Sequence, residues 1–120
     1  MKTLLVTAVL GILLLSPARV SANPPDSIAV DYDSTGYLTV NIRHPIKGEV
    51  YEHYISKLVV KLNGAEVIRQ TFKRQVDSEW QQAVYLLIDL KPDDKVQITA
   101  SCNIFGNLSE TFVPLSSGDQ

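Results

Sequence analysis

The sequence predicts an all-β sandwich of about seven short strands, and three observations lead there. Apolar and polar residues alternate with a period of two in several separate segments. Turn signals fall between those segments, and no helical period persists long enough to build an α-helix.

The first strand is expected over 27–32, with Ile28 and Val30 in phase. The second, over 37–43, is the cleanest: Leu38, Val40 and Ile42 alternate with Tyr37, Thr39, Asn41 and Arg43. A third, over 54–62, puts Leu58, Val60 and Leu62 on one face and Lys57 and Lys61 on the other. Asn63-Gly64 follows, the signature of a two-residue type I′ hairpin, whose central positions both need positive φ, and a fourth strand is expected over 66–72. A fifth is expected over 82–88, before a turn at Lys91-Pro92-Asp93-Asp94. The sixth, over 95–102, alternates Val96, Ile98, Ala100 and Cys102 against Lys95, Gln97, Thr99 and Ser101, and a seventh over 109–114 ends the domain. Seven such strands in roughly a hundred residues fit a two-sheet sandwich of immunoglobulin-like topology, with a small closed barrel as the competitor.

The ends carry their own signals. Lys2 precedes an apolar run from Leu4 to Leu15, and Val20-Ser21-Ala22 is a small-residue cleavage site, so 1–22 reads as a secretory signal peptide. The run falls short of the about 17–25 residues that a spanning helix needs, which makes an uncleaved anchor the weaker reading. The mature chain is expected to begin at Asn23 as one domain over 23–115, with 116–120 a flexible polar tail, in the periplasm or outside the cell. Cleavage removes Lys2 and Arg19 but no acid, so the formal charge of −2 becomes more negative. That balance argues against nucleic acid and, after cleavage, against a membrane as partner.

Cys102 is the only cysteine, which excludes an intrachain disulfide in a compartment where small domains use them. The thiol is then buried and inert, joined to another molecule, or a metal ligand. The inward phase of the second strand, extended by one more step of two, arrives at His44, and that of the sixth arrives at Cys102. In the expected topology the second and sixth strands end, and the third begins, at one pole. There the two histidines, His44 and His53, can meet Cys102. Two imidazoles and a thiolate suit iron, copper or zinc and are poor hosts for calcium or magnesium. The plainer alternative makes the histidines polar loop residues and Cys102 a packed core thiol.

His44-Pro45, Glu52-His53-Tyr54-Ile55, Leu62-Asn63-Gly64, Phe72 and Ala100-Ser101-Cys102-Asn103-Ile104-Phe105-Gly106 together resemble the iron-binding domain of superoxide reductases and desulfoferrodoxins. The resemblance spans about 40–113 and implies iron as cofactor, with a redox role and a redox partner protein. In that family an HP…EHHI segment supplies two histidines, and a CNxHG segment supplies the axial cysteine and another histidine. A further histidine nearer the N-terminus completes the set. His44, His53 and Cys102 match ligands here. Phe105 stands where the CNxHG histidine belongs, and no histidine precedes His44. The separation of His44 and His53 is also longer than the family's, so the loop carries an insertion. Full superoxide reductase activity is therefore not expected. The resemblance also implies that Lys47, in the loop between the histidines, attracts a small anion in a catalytic role; a solvated loop lysine is the plain alternative, as it is for Glu49.

The chain also resembles the sulfur-compound-chelating subunit of the thiosulfate-oxidising carrier complex, with its histidine-proline segment, Asn-Gly hairpin and an Asp93-Asp94-Lys95-Val96-Gln97-Ile98 strand. That likeness implies a non-catalytic periplasmic binding or carrier module without a metal. A blue-copper centre would need an axial oxygen, because Met1 is the only methionine and leaves with the signal. A Cys-His nucleophile pair lacks any legible oxyanion-hole turn. Trp80 reads as a cap on the core edge or, beside Lys73-Arg74, as an exposed anchor for a partner. Asn107-Leu108-Ser109 has the form of a glycosylation acceptor.

Overall fold

A computed structural model of the chain describes residues 24–114; the expected signal peptide and the 116–120 tail lie outside the described residues. Among the described residues seven strands form: β1 (Ser27–Tyr32), β2 (Tyr37–Arg43), β3 (Ile55–Leu62), β4 (Ala65–Thr71), β5 (Trp80–Leu86), β6 (Val96–Cys102) and β7 (Asn107–Phe112). They make two antiparallel sheets, one ordered β1-β2-β5 and the other β4-β3-β6-β7. This is the expected all-β sandwich. Among the described residues no helix is long and apolar enough to cross a membrane.

Period-two alternation explains the packing. Leu38, Val40 and Ile42 of β2 are fully buried, with Ile28 beside them on β1 and Ala83 on β5. They face Leu58 and Val60 of β3 and Val96, Ile98 and Ala100 of β6, which are equally inaccessible. The half-buried Leu108 and Phe112 of β7 pack against this core. Each large side chain so removed from water contributes about 1.5–3 kcal/mol toward offsetting the entropy of ordering the chain.

The β3–β4 hairpin is as expected, with Asn63 at φ 49° and Gly64 at φ 90°. Asn63 also ties this hairpin to the segment before β6: its N–H donates to the Lys95 carbonyl at 2.8 Å, and its Oδ1 accepts from Lys95 N–H at 2.9 Å.

Some boundaries differ from those expected, for local reasons. β5 runs from Trp80 to Leu86, two residues early, because Leu87 N–H closes on the Gly36 carbonyl at 2.8 Å and Asp89 then turns at φ 67°. β7 also begins two residues early, because the positive φ of Gly106 makes a tight hairpin and pairing starts at once with Asn107 opposite Ser101. Trp80 does not cap the core edge. It shares the outward phase of Gln82 and Val84, is 38% exposed, and lines a shallow groove with Ala29, Asn41 and Val76. The inward phase of β5 belongs instead to Gln81, Ala83 and Tyr85.

Two connections at one pole, 44–54 and 72–79, carry the chain between the sheets, and the β6–β7 hairpin at 103–106 lies at the same end.

Candidate metal centre

His44 follows β2 directly. It keeps the inward phase of Leu38, Val40 and Ile42 and is 1% exposed. Its backbone continues the ladder beyond the strand, with His44 N–H donating to the Glu79 carbonyl at 2.8 Å. Cys102 closes the inward phase of β6 and is buried.

His53 comes in from the long loop. The loop between the histidines turns where Glu52 N–H and His53 N–H both donate to the Glu49 carbonyl, at 2.9 and 3.1 Å. A bulge then sets the entry into β3. Ile55 pairs with Cys102 and Lys57 with Ser101, leaving Ser56 as the extra residue. Bulges of this kind re-aim side chains beside functional sites. Here the bulge lets Ile55 be buried together with Leu58, although the two are out of phase along a regular strand.

Asn103 fastens together the segments that carry His53 and Cys102. Its Oδ1 accepts from Tyr54 N–H at 2.8 Å and its Nδ2 donates to the Glu52 carbonyl at 3.0 Å. Ile104 N–H donates to Cys102 Sγ at 3.4 Å, so the hairpin backbone holds the sulfur in place.

The result is a cluster in which one donor atom each from His44, His53 and Cys102 lies within 4.8 Å of the others. The imidazole rings meet edge to face, with centroids 5.0 Å apart and planes at 83°. Bonds of about 2.0–2.3 Å place two ligands of one ion no more than about 4.4 Å apart, so shifts on the order of 1 Å would close the cluster on an ion. The donor set also fits. His53 Nε2 is buried with no hydrogen-bond partner, a costly arrangement for an imidazole nitrogen unless something else meets it. Burial, with His44 close by, holds His53 below the usual imidazole range, so near neutral pH the ring is uncharged and has a lone pair to offer.

All three expected ligand residues are therefore together. Lys47 and Glu49 are exposed in the loop between the histidines. Phe105 is 63% exposed and brings no donor atom to the cluster. Cys102 also borders an open cleft with Tyr54, Ser56, Lys57, Lys73 and Asn103.

One residue at the centre carries no sequence signal. Gln75, in the 72–79 connection, is 1% exposed, and its Oε1 lies 2.7 Å from His44 Nδ1. A glutamine in a polar stretch between two strands looks like any surface loop residue.

Gly106 serves the hairpin that carries Cys102. It sits at φ +101°, its carbonyl accepts from Cys102 N–H at 2.9 Å, and an added Cβ would lie 2.8 Å from Pro24 N. Gly106→Ala is expected to cost about 1–3 kcal/mol through backbone strain and this clash. An unchanged urea midpoint would contradict that.

The β-sandwich gathers two histidines and a cysteine at one pole, and solved structures of similar fold can be set beside it. The chain is similar to the superoxide reductase (1Fe-SOR) of Giardia intestinalis, with 15% identity over 75% of this chain and 98% of that one, at a TM-score of 0.55. It is also similar to the neelaredoxin-type superoxide reductase of Ignicoccus hospitalis, with 10% identity over 75% of this chain and 81% of that one, at 0.46. A third similar structure is a variant of the Archaeoglobus fulgidus neelaredoxin in its reduced form, with 21% identity over 82% of this chain and 93% of that one, at 0.43. No family model matches the chain, and no curated protein matches it in sequence. The Giardia likeness shows that the fold is that of a superoxide reductase.

Proposed function

We propose that this chain is an exported, superoxide-reductase-like domain that binds a transition metal, iron foremost, through His44, His53 and Cys102. The observation that carries the reading is the convergence of the chain's two histidines and its one cysteine, with their donor atoms within 4.8 Å. The protein whose fold supports it is itself a superoxide reductase, named for one iron.

Bound iron would supply one-electron redox chemistry at a thiolate-ligated centre. The chain's own residues do the rest. His44 and His53 offer imidazole nitrogens, Cys102 offers sulfur beneath the Ile104 N–H, and the sandwich keeps water from most of the cluster. With Phe105 at the position of a family histidine, the donor set falls short of a superoxide reductase, so a redox role is proposed without that full activity. Lys47 is the candidate for drawing a small anion to the loop, and a redox protein is the expected macromolecular partner. Export rests on the leader at 1–22, and N-terminal sequencing of the secreted protein should begin at Asn23.

The test is to purify the chain aerobically and measure iron, copper and zinc together with the visible spectrum. Near-stoichiometric iron with a thiolate-to-iron band is expected. If none of the three metals binds after reconstitution, the metal reading fails. What then stands is a non-catalytic periplasmic binding or carrier module of the sulfur-compound-chelating type.

A further inference from the structure

We infer that Gln75 is a positioning residue: it fixes His44 in the Nδ1–H tautomer and so makes Nε2 the nitrogen that His44 offers at the cluster. Its value to the protein rests on the metal-binding reading above; the tautomer is assigned from the hydrogen bonds of Gln75.

The orientation of the Gln75 amide follows from neighbours whose roles are not in question. Ile55 N–H, which can only donate, lies 3.0 Å from Oε1. The carbonyls of His44 and Asp77, which can only accept, lie 3.1 and 3.0 Å from Nε2. Flipping the amide would set its NH2 against a donor and its oxygen against two acceptors, so the assignment is determined. Oε1 is therefore the atom facing His44 Nδ1 at 2.7 Å. An amide oxygen can only accept, so Nδ1 must carry the proton. In a neutral imidazole the lone pair then resides on Nε2.

Gln75 is held as firmly as it holds. It is 1% exposed, and its backbone N–H donates to the Val50 carbonyl at 3.0 Å, which locks the 72–79 connection onto the 44–54 loop. The side chain thus spans β3, the end of β2 and its own loop. A neutral amide suits the place better than a carboxylate would, because a carboxylate would oppose two carbonyl oxygens. Partners of this kind commonly orient metal-binding histidines, and losing one typically costs 10–100-fold in metal affinity.

Nitrogen-15 NMR of the metal-free full-length chain reads the tautomer directly. A His53→Gln variant assigns the two imidazoles. His44 is expected with Nδ1 protonated and Nε2 unprotonated in the wild type. In Gln75→Met it should move toward the Nε2–H form that an unconstrained histidine prefers, whereas Gln75→Glu keeps an acceptor and should retain the proton on Nδ1. Both variants lose the bonds to the His44 and Asp77 carbonyls, and a carboxylate also opposes those oxygens, so a merely structural role would disturb Gln75→Glu at least as much as Gln75→Met. Iron(II) affinity should fall about 10–100-fold in Gln75→Met and less in Gln75→Glu. An Nε2–H tautomer in the wild type, or no change in Gln75→Met, overturns the assignment. Should Gln75→Met fail to fold, the wild-type spectrum decides. A wild-type chain that shows the Nδ1–H tautomer and binds no iron supports the assignment and overturns the metal reading.

Discussion

Cys102→Ala should abolish iron binding and, with it, the thiolate-to-iron charge-transfer band, while the domain stays folded. The cluster's other two members are imidazoles, so a thiolate at Cys102 would be its one anionic and its one soft ligand. Loss of an outer partner typically costs 10–100-fold in affinity, and loss of this ligand should cost more than about 100-fold. The fold should tolerate the change. Cys102 ends its strand, and trimming one sulfur there costs on the order of 1 kcal/mol. Near-normal urea midpoints with lost metal would separate ligand from scaffold. Phe105→Ala, at a 63% exposed position, should change neither property.

Leu58→Ala should have the largest effect on stability. Leu58 lies on β3, between β4 and β6, and is completely buried against the opposite sheet. Removing three buried carbons forfeits their transfer energy and leaves a cavity that rigid strands on both sides cannot collapse. The cost is about 2–5 kcal/mol, a large share of the roughly 5–15 kcal/mol that keeps such a domain folded. The melting temperature should fall by at least about 10 °C. Val84→Ala, on the outer face at 54% exposure, should shift stability by less than about 0.5 kcal/mol. Similar effects of the two substitutions would contradict the inward and outward phases described above.

Much of this architecture is legible in the sequence because period-two alternation carries direction as well as element type. In 37–43 the alternation is regular enough to extend one step to His44, and in 96–102 it arrives at Cys102 itself; both are buried on the inward phase. Their meeting with His53 then follows from the order in which strands end at one pole. Where the backbone departs from regularity, the pattern misleads. The bulge at Ser56 has only a faint signal, Ile55 standing out of phase with Leu58 and Val60. Trp80 suggests burial by size, yet the phase of its strand turns it outward. Gln75 is invisible altogether, because its importance arises from carbonyl and amide groups of three segments that become neighbours only on folding.

The central claim, that one metal ion joins His44, His53 and Cys102, is tested most directly by titrating iron(II) anaerobically into the metal-free chain and recording the iron X-ray absorption fine structure. One bound iron per chain is predicted, with a single sulfur neighbour at about 2.3 Å and the multiple-scattering pattern of two imidazoles. A shell of light atoms without sulfur, or iron that dialyses away, would contradict it.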